Sequence, residues 1–188
     1  MKNYFIRNFV KNIYWSVYGG TIKNPTLPSN IKSVLFICLG NICRSPFAER
    51  IFSKYSCNSN SVISYSAGIR VEYPKSPPLE AIISAKEFGV SLDDHSSRNI
   101  EYSMIESYDM VIAMEAWQYK YLRKMFLEFE DKIFLLPLFG INNIKSESKY
   151  NNFNIKDPFG KCISNYNDCF KKIEMYIEIL LDSINNNI

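Results

Sequence analysis

The chain has 188 residues, 47% of them hydrophobic, and a formal net charge of +3. That is one domain's length with enough apolar material for a core, and too little positive charge to make nucleic acid the expected partner. No apolar run reaches transmembrane length, and five cysteines, an odd number, fit a reducing compartment, so the cytoplasm is the expected location.

The charge is uneven. Residues 1–30 contain Lys2, Arg7, Lys11 and Lys23 and no acid, which leaves the remainder of the chain at −1. Phe5, Ile6, Phe9, Val10, Ile13 and Val17 recur at helical spacing between these basic residues. Two placements fit the pattern. One is a basic amphipathic helix lying peripherally on the inner face of a membrane. The plainer one is an added helix packed on the domain or on a second subunit. Residues 19–30, with Pro25 and Pro28, read as a linker, so the chain divides into an extension over 1–30 and a domain over 31–188.

Residues 33–38 read as a strand, apolar and partly β-branched, of the kind buried on both faces. The segment Leu39-Gly40-Asn41-Ile42-Cys43-Arg44-Ser45-Pro46 then reads as a tight turn entering a helix over 46–55. Gly40 and Asn41 tolerate left-handed backbone, Ser45 suits an N-cap, and Pro46 suits the first helical position. Backbone N–H groups in such a turn converge on an anion, and the helix N-terminus adds partial positive charge. Cys38 stands at the entrance of that ring and Arg44 at its exit. The arrangement points to a cysteine nucleophile that attacks phosphorus, with residues 39–45 binding the phosphate and the Arg44 fork matching two of its oxygens. The bland alternative is a packed cysteine in a βα turn.

Residues 62–66 form the expected second strand, ending at Ala67-Gly68. A helix follows over 78–88 with Gly89 as its stop signal, then a short helix over 100–107 and a third strand over 109–114. A helix over 115–129, a fourth strand over 132–136 and a long asparagine-rich loop over 137–157 complete the middle of the chain. The last element is an amphipathic helix over 165–184, with Phe170, Ile173, Tyr176, Ile177 and Leu180 on one side. This alternation predicts an α/β three-layer sandwich: a four-stranded parallel sheet, helices on both faces, and a phosphate-binding loop after strand one. Ligands then bind at the carboxyl ends of the strands, where Cys38 falls.

The pattern Cys38-x-Gly40-Asn41-x-Cys43-Arg44-Ser45-Pro46 resembles the active-site loop of the low-molecular-weight protein tyrosine phosphatases and is complete at its fixed positions. The resemblance continues through Ala67-Gly68, residues 109–114 and Asp157-Pro158-Phe159, and covers about residues 32–184. It is strongest to bacterial members that act opposite tyrosine autokinases in exopolysaccharide production. It implies hydrolysis of phosphotyrosine in a protein such as that autokinase, through a cysteinyl phosphate and without metal or cofactor. Cys38 would be the nucleophile and Arg44 the phosphate clamp. Asp157 would protonate the leaving phenol and then activate water. Asn41 would hold the loop in shape and Ser45 would donate to the sulfur.

His95, the only histidine, lies in a segment resembling the one whose histidine bonds the loop asparagine. It is therefore expected behind Asn41, with a capping or surface role as the alternative. Tyr73, Trp117 and Phe159 would wall the substrate ring. Phe159 stands where many relatives carry a phosphorylatable tyrosine, and Glu115 where many carry aspartate. The resemblance gives Cys43 the role of trapping an oxidised Cys38 as a disulfide; simple packing is the alternative. Cys162 and Cys169 suit packing or surface roles better than a redox relay. Two other functions stay open. An arsenate reductase of this fold needs two further cysteines at a different place from Cys162 and Cys169. A non-catalytic phosphotyrosine-binding module would not need the full catalytic set.

Overall fold

A computed structural model describes residues 22–56, 62–140 and 150–186. The basic amphipathic pattern of residues 2–17 lies outside them, as does part of the long loop, residues 141–149. Strands β1 (Ser33–Cys38), β2 (Ile63–Gly68), β3 (Met110–Ala113) and β4 (Ile133–Leu135) form one parallel sheet in the order β2-β1-β3-β4. The helices are α1 (Arg44–Ser56), α2 (Leu79–Glu87), α3 (Tyr102–Ser107), α4 (Ala116–Met125) and α5 (Ile163–Asn185).

Successive side chains of β1 point to opposite faces of the sheet. Val34, Phe36 and Cys38 join α1, α2 and α5 in one buried cluster, while Leu35 and Ile37 join α3 and α4 in the other. The apolar run of β1 is unbroken because both of its faces are covered. Phe47 of α1 stacks on Phe170 of α5 with ring centroids 4.0 Å apart. In α5, Tyr166, Phe170, Ile173, Ile177, Leu180 and Ile184 are buried at intervals of three or four.

The sheet order positions the site. The chain leaves β1 toward β2 on one side, and β3 lies on the other. A cleft therefore opens above the carboxyl ends of β1 and β3, where Cys38 and Glu115 stand.

Three expectations need correction. The helix over 115–129 stops at Met125, and Leu127–Lys132 form a 3-10 helix. Phe126 and Phe129 turn to pack against Tyr102 of α3, at ring separations of 6.3 and 5.5 Å, and that packing overrides helical continuation. Helix α1 begins at Arg44, so Ser45 lies inside the first turn and is not the N-cap. The linker reading fails from Ile22 on. Ile22 and Ile31 are buried, and Tyr119 donates to the Lys23 carbonyl. Asn24 bonds both the N–H and the C=O of Leu135, at 2.8 and 3.3 Å, which covers the edge of β4. Among the described residues no helix is long and apolar enough to cross a membrane.

Candidate active site

Between Cys38 and Arg44 the chain closes a tight loop. Its left-handed residue is Asn41, at φ +52°, and not Gly40. Asparagine tolerates that conformation because its short polar side chain bonds locally. Asn41 is fully buried and each of its polar atoms is bonded. Its N–H meets Cys38 Sγ at 3.2 Å, and its carbonyl accepts from His95 Nε2 at 2.8 Å. A carbonyl only accepts, so the neutral ring carries its proton on Nε2. Asn41 Nδ2 donates to Ser45 Oγ and Ser66 Oγ at 3.0 and 2.9 Å, and Oδ1 accepts the Arg98 N–H at 3.0 Å.

These bonds orient the hydroxyls. Ser45 accepts from Asn41, so its own proton is available to Cys38 Sγ, 3.0 Å away, with the Ala67 carbonyl as the other acceptor at 3.3 Å. Ser66 in turn donates to Glu49 Oε2 at 2.6 Å. Two donors therefore converge on the sulfur and stabilise negative charge there. Burial disfavours a charged His95, while the Asn41 carbonyl and the Glu49 carboxylate favour it.

Gly68 explains the Ala67-Gly68 pair. A Cβ at Gly68 would lie 2.9 Å from the Leu39 carbonyl and 3.0 Å from the Asn41 nitrogen. Only glycine lets the end of β2 run this close to the loop.

Arg44 joins the loop to two acids. Its side chain is buried; Nη1 pairs with Glu115 Oε1 and donates to the Ile155 carbonyl at 3.0 Å, and Nη2 pairs with Asp157 Oδ2 at 2.6 Å. Burial alone would lower the guanidinium pKa, but negative charge at Cys38, Asp157 and Glu115 raises it above its ordinary range. Arg44 stays charged in the interior because both carboxylates face it.

The Asp157 segment is stitched to the end of β3. The Ile155 N–H bonds the Met114 carbonyl at 3.0 Å, and Asn154 Oδ1 accepts the Ala116 N–H at 3.0 Å. Gln118 accepts the Met114 and Glu115 N–H groups and donates to Glu115 Oε1 at 3.2 Å, which fixes the second acid. Asp157 Oδ1 accepts the Phe159 N–H at 3.1 Å. Above these residues lies a cavity of about 430 Å³, lined by the loop, Arg70, Val71, Tyr73, Asp157 and Phe159.

Residues 33–188 match the family model "Low molecular weight phosphotyrosine protein phosphatase". The chain belongs to this family. It is 34% identical over 103 residues, 55% of this chain and 68% of the relative, to the low molecular weight protein-tyrosine-phosphatase Wzb of Escherichia coli K12. The Vibrio vulnificus Wzb structure in complex with benzylphosphonate matches with a TM-score of 0.69 at 27% identity, over 81% of this chain and 98% of that one. The YwlE arginine phosphatase from Geobacillus stearothermophilus matches with a TM-score of 0.70 at 26% identity, over 85% and 94%.

Within this low-molecular-weight phosphatase fold, Cys38, Leu39, Gly40, Ile42, Cys43, Arg44, Asp157, Tyr73 and Phe159 share one cavity, and Asn41, Ser45 and His95 lie behind the loop. Trp117 does not line the cavity. The inward face of α4 is taken by Ala116, Tyr119 and Leu122, so Trp117 projects outward with Tyr121. Cys43 is buried, and burial together with the neighbouring Cys38 charge pushes its thiol up. Cys169 is buried beside it, and burial pushes that thiol up to about 12. Cys162 is exposed at the start of α5, bonded to Ser164 and Asn165. Cys162 and Cys169 thus face different surroundings.

Sequence reasoning missed Glu115, Gln118, Glu49, Ser66 and Arg98 as parts of the site. Glu115 had a usable signal: it follows a strand adjacent to β1, at the carboxyl edge where ligands bind. The others are joined to the loop by contacts that no local pattern records.

Proposed function

We propose that the chain hydrolyses phosphotyrosine in proteins through a cysteinyl-phosphate intermediate. The observation that carries this reading is one cluster: Cys38 Sγ receives two donors, and Arg44 ties Asp157 to the same loop at 2.6 Å. Cys38 Sγ attacks phosphorus in line, forming the S–P bond as the P–O bond to the phenol breaks. Arg44 and the loop amides balance charge on the equatorial oxygens. Asp157, oriented by Arg44 at Oδ2 and by the Phe159 N–H at Oδ1, delivers the proton to the phenolic oxygen. The resulting carboxylate then takes a proton from water, whose oxygen attacks phosphorus. The S–P bond breaks, orthophosphate leaves, and the Ser45 hydroxyl receives the sulfur's returning charge.

The physiological reading is reversal of a tyrosine autokinase in exopolysaccharide production, in the cytoplasm. The motif resemblance supports it. The aromatic and apolar walls, Tyr73, Phe159, Val71 and Ile42, suit the ring of a phosphotyrosine.

The deciding experiment measures phosphate release from phosphotyrosyl and phosphoarginyl peptides by wild type, Cys38→Ser and Asp157→Asn, without added metal. The expected result is turnover of phosphotyrosine, abolished in the first variant and reduced about a hundredfold or more in the second. Full activity in Cys38→Ser would sink the mechanism. Tight peptide binding by a folded wild type without turnover would establish the binding-module alternative.

A further inference from the structure

Each arginine carries a planar fork of N–H donors that suits an acid, a carbonyl or an aromatic face. Five arginines lie among the described residues, and four of them have such a partner. Arg44 pairs with Glu115 and Asp157, Arg50 with Asp94 and Arg123 with Glu130, while Arg98 lies over the Tyr65 ring at 4.1 Å. Arg70 differs. Among the described residues its guanidinium enters no ion pair, hydrogen bond or ring contact. An unpaired arginine on an open surface needs no explanation. Arg70, however, lines the cavity above the phosphate loop.

The backbone fixes its position there. The Ile69 N–H donates to the Cys38 carbonyl at 3.0 Å and the Arg70 N–H to the Leu39 carbonyl at 2.9 Å, so the segment after β2 is laced to the first residues of the loop. Asn99 Oδ1 accepts the next N–H, that of Val71, at 3.1 Å. Arg70 is exposed, so its base is held beside the nucleophile's loop while its guanidinium stays available to a ligand. The surrounding charge favours an anion. Lys75 lines the same cavity, its ammonium 4.2 Å from the Tyr73 ring centre. The acids of the cavity wall are Asp157, which Arg44 holds, and Glu72, which enters no ion pair among the described residues. Two cations thus face one uncommitted acid. In the phosphatase reading Arg44 and the loop amides take the phosphate, which leaves the Arg70 fork for a second anionic group on the same substrate.

We propose that Arg70 recognises an acidic side chain flanking the phosphotyrosine, and so selects substrates with glutamate or aspartate beside that residue. A carboxylate matches the fork through two parallel N–H···O bonds. The inference rests on the phosphatase reading above.

The test uses two phosphotyrosyl peptides of equal length, one with glutamate and one with glutamine on both sides of the phosphotyrosine. Wild type is expected to show a kcat/KM about fivefold higher on the glutamate peptide, through KM. The advantage should shrink toward parity at about 1 M salt, where the screening length is ~3 Å. Arg70→Gln should bring the two peptides to parity at low salt. The readout is a ratio of two substrates on one protein, so a general loss of activity or of folded protein in the variant does not move it. Parity in wild type, a preference that salt leaves unmoved, or a preference that survives in Arg70→Gln overturns the role of Arg70 alone. An equal loss on both peptides in the variant, with the ratio kept, overturns it too and makes Arg70 a contact of the phosphate. Absence of turnover on both peptides by wild type overturns the phosphatase reading with it.

Discussion

The two halves of the candidate active site are built in opposite ways. The phosphate loop is one short segment, residues 38–45, shaped by Asn41 and pinned from behind by His95, Ser66 and Arg98. The Asp157 segment is placed mainly by long-range contacts, with Arg44 reaching it across more than a hundred positions of sequence. The loop's turn begins in its own backbone and is then pinned by distant residues, whereas the acid's position depends mainly on the assembled domain. Chemistry follows the same division. The loop acts on every phosphate ester, whereas the acid matters in proportion to how poor the leaving group is. Leaving-group dependence is therefore the measurement that separates the two halves.

The largest effect is expected where they meet. Arg44→Lys keeps the charge but loses the planar fork that spans Glu115, Asp157 and the phosphate. We expect kcat/KM to fall about a thousandfold on phosphotyrosine and on para-nitrophenyl phosphate alike. A loss under about tenfold on both would show that Arg44 is not the shared clamp.

The next pair splits the halves. Gly68→Ala drives a Cβ into the Leu39 carbonyl and the Asn41 nitrogen. The loop must shift, and activity should fall about a hundredfold on both substrates. Asn154→Ala removes the acceptor of the buried Ala116 N–H. It should destabilise the fold by roughly 1–3 kcal/mol. On phosphotyrosine it should slow turnover about tenfold, with little change on the more acidic nitrophenol ester. Equal losses on the two esters in both variants would erase the distinction between loop and acid segment.

Legibility followed the same line. Strand β1, the turn, Cys38 and Arg44 lie within a dozen residues, and their chemistry is carried by residue type and spacing. The parallel sheet was legible because its strands are short apolar runs between helical patterns. Glu115 escaped because its meaning depends on β3 lying beside β1, which is a matter of strand order. Trp117 was misplaced because residue type gives a wall-like side chain, while its direction depends on which face of α4 is buried. The break at Phe126 depends on Tyr102, some two dozen positions earlier, and no local periodicity records it.

The smallest effect concerns the thiols outside the proposed chemistry, and it sharpens the contrast between exposed and enclosed parts of the domain. Cys162 is exposed, and hydrogen bonds from Ser164 and Asn165 lower its pKa below the ordinary thiol value. Cys169, seven residues on in the same helix, is buried and pushed up to about 12. The thiolate is the reactive form, so the rate of alkylation rises tenfold per pH unit until the pKa is reached and then levels off. Among the cysteines of the described residues, Cys162 should therefore react first with iodoacetamide and level off at a lower pH than an ordinary exposed thiol. Cys169 and Cys43 should remain unmodified through the same titration in the folded protein. Mass spectrometry of the alkylated peptides, with phosphate present to shield Cys38, reads all of them at once. Alkylation of Cys162 alone should leave turnover unchanged, because the residue lines neither the cavity nor the loop. Modification of Cys169 as fast as Cys162 at pH 8 would mean that α5 opens from the sheet in solution. In that case the stacked Phe47–Phe170 pair would not hold the back of the phosphate loop in place.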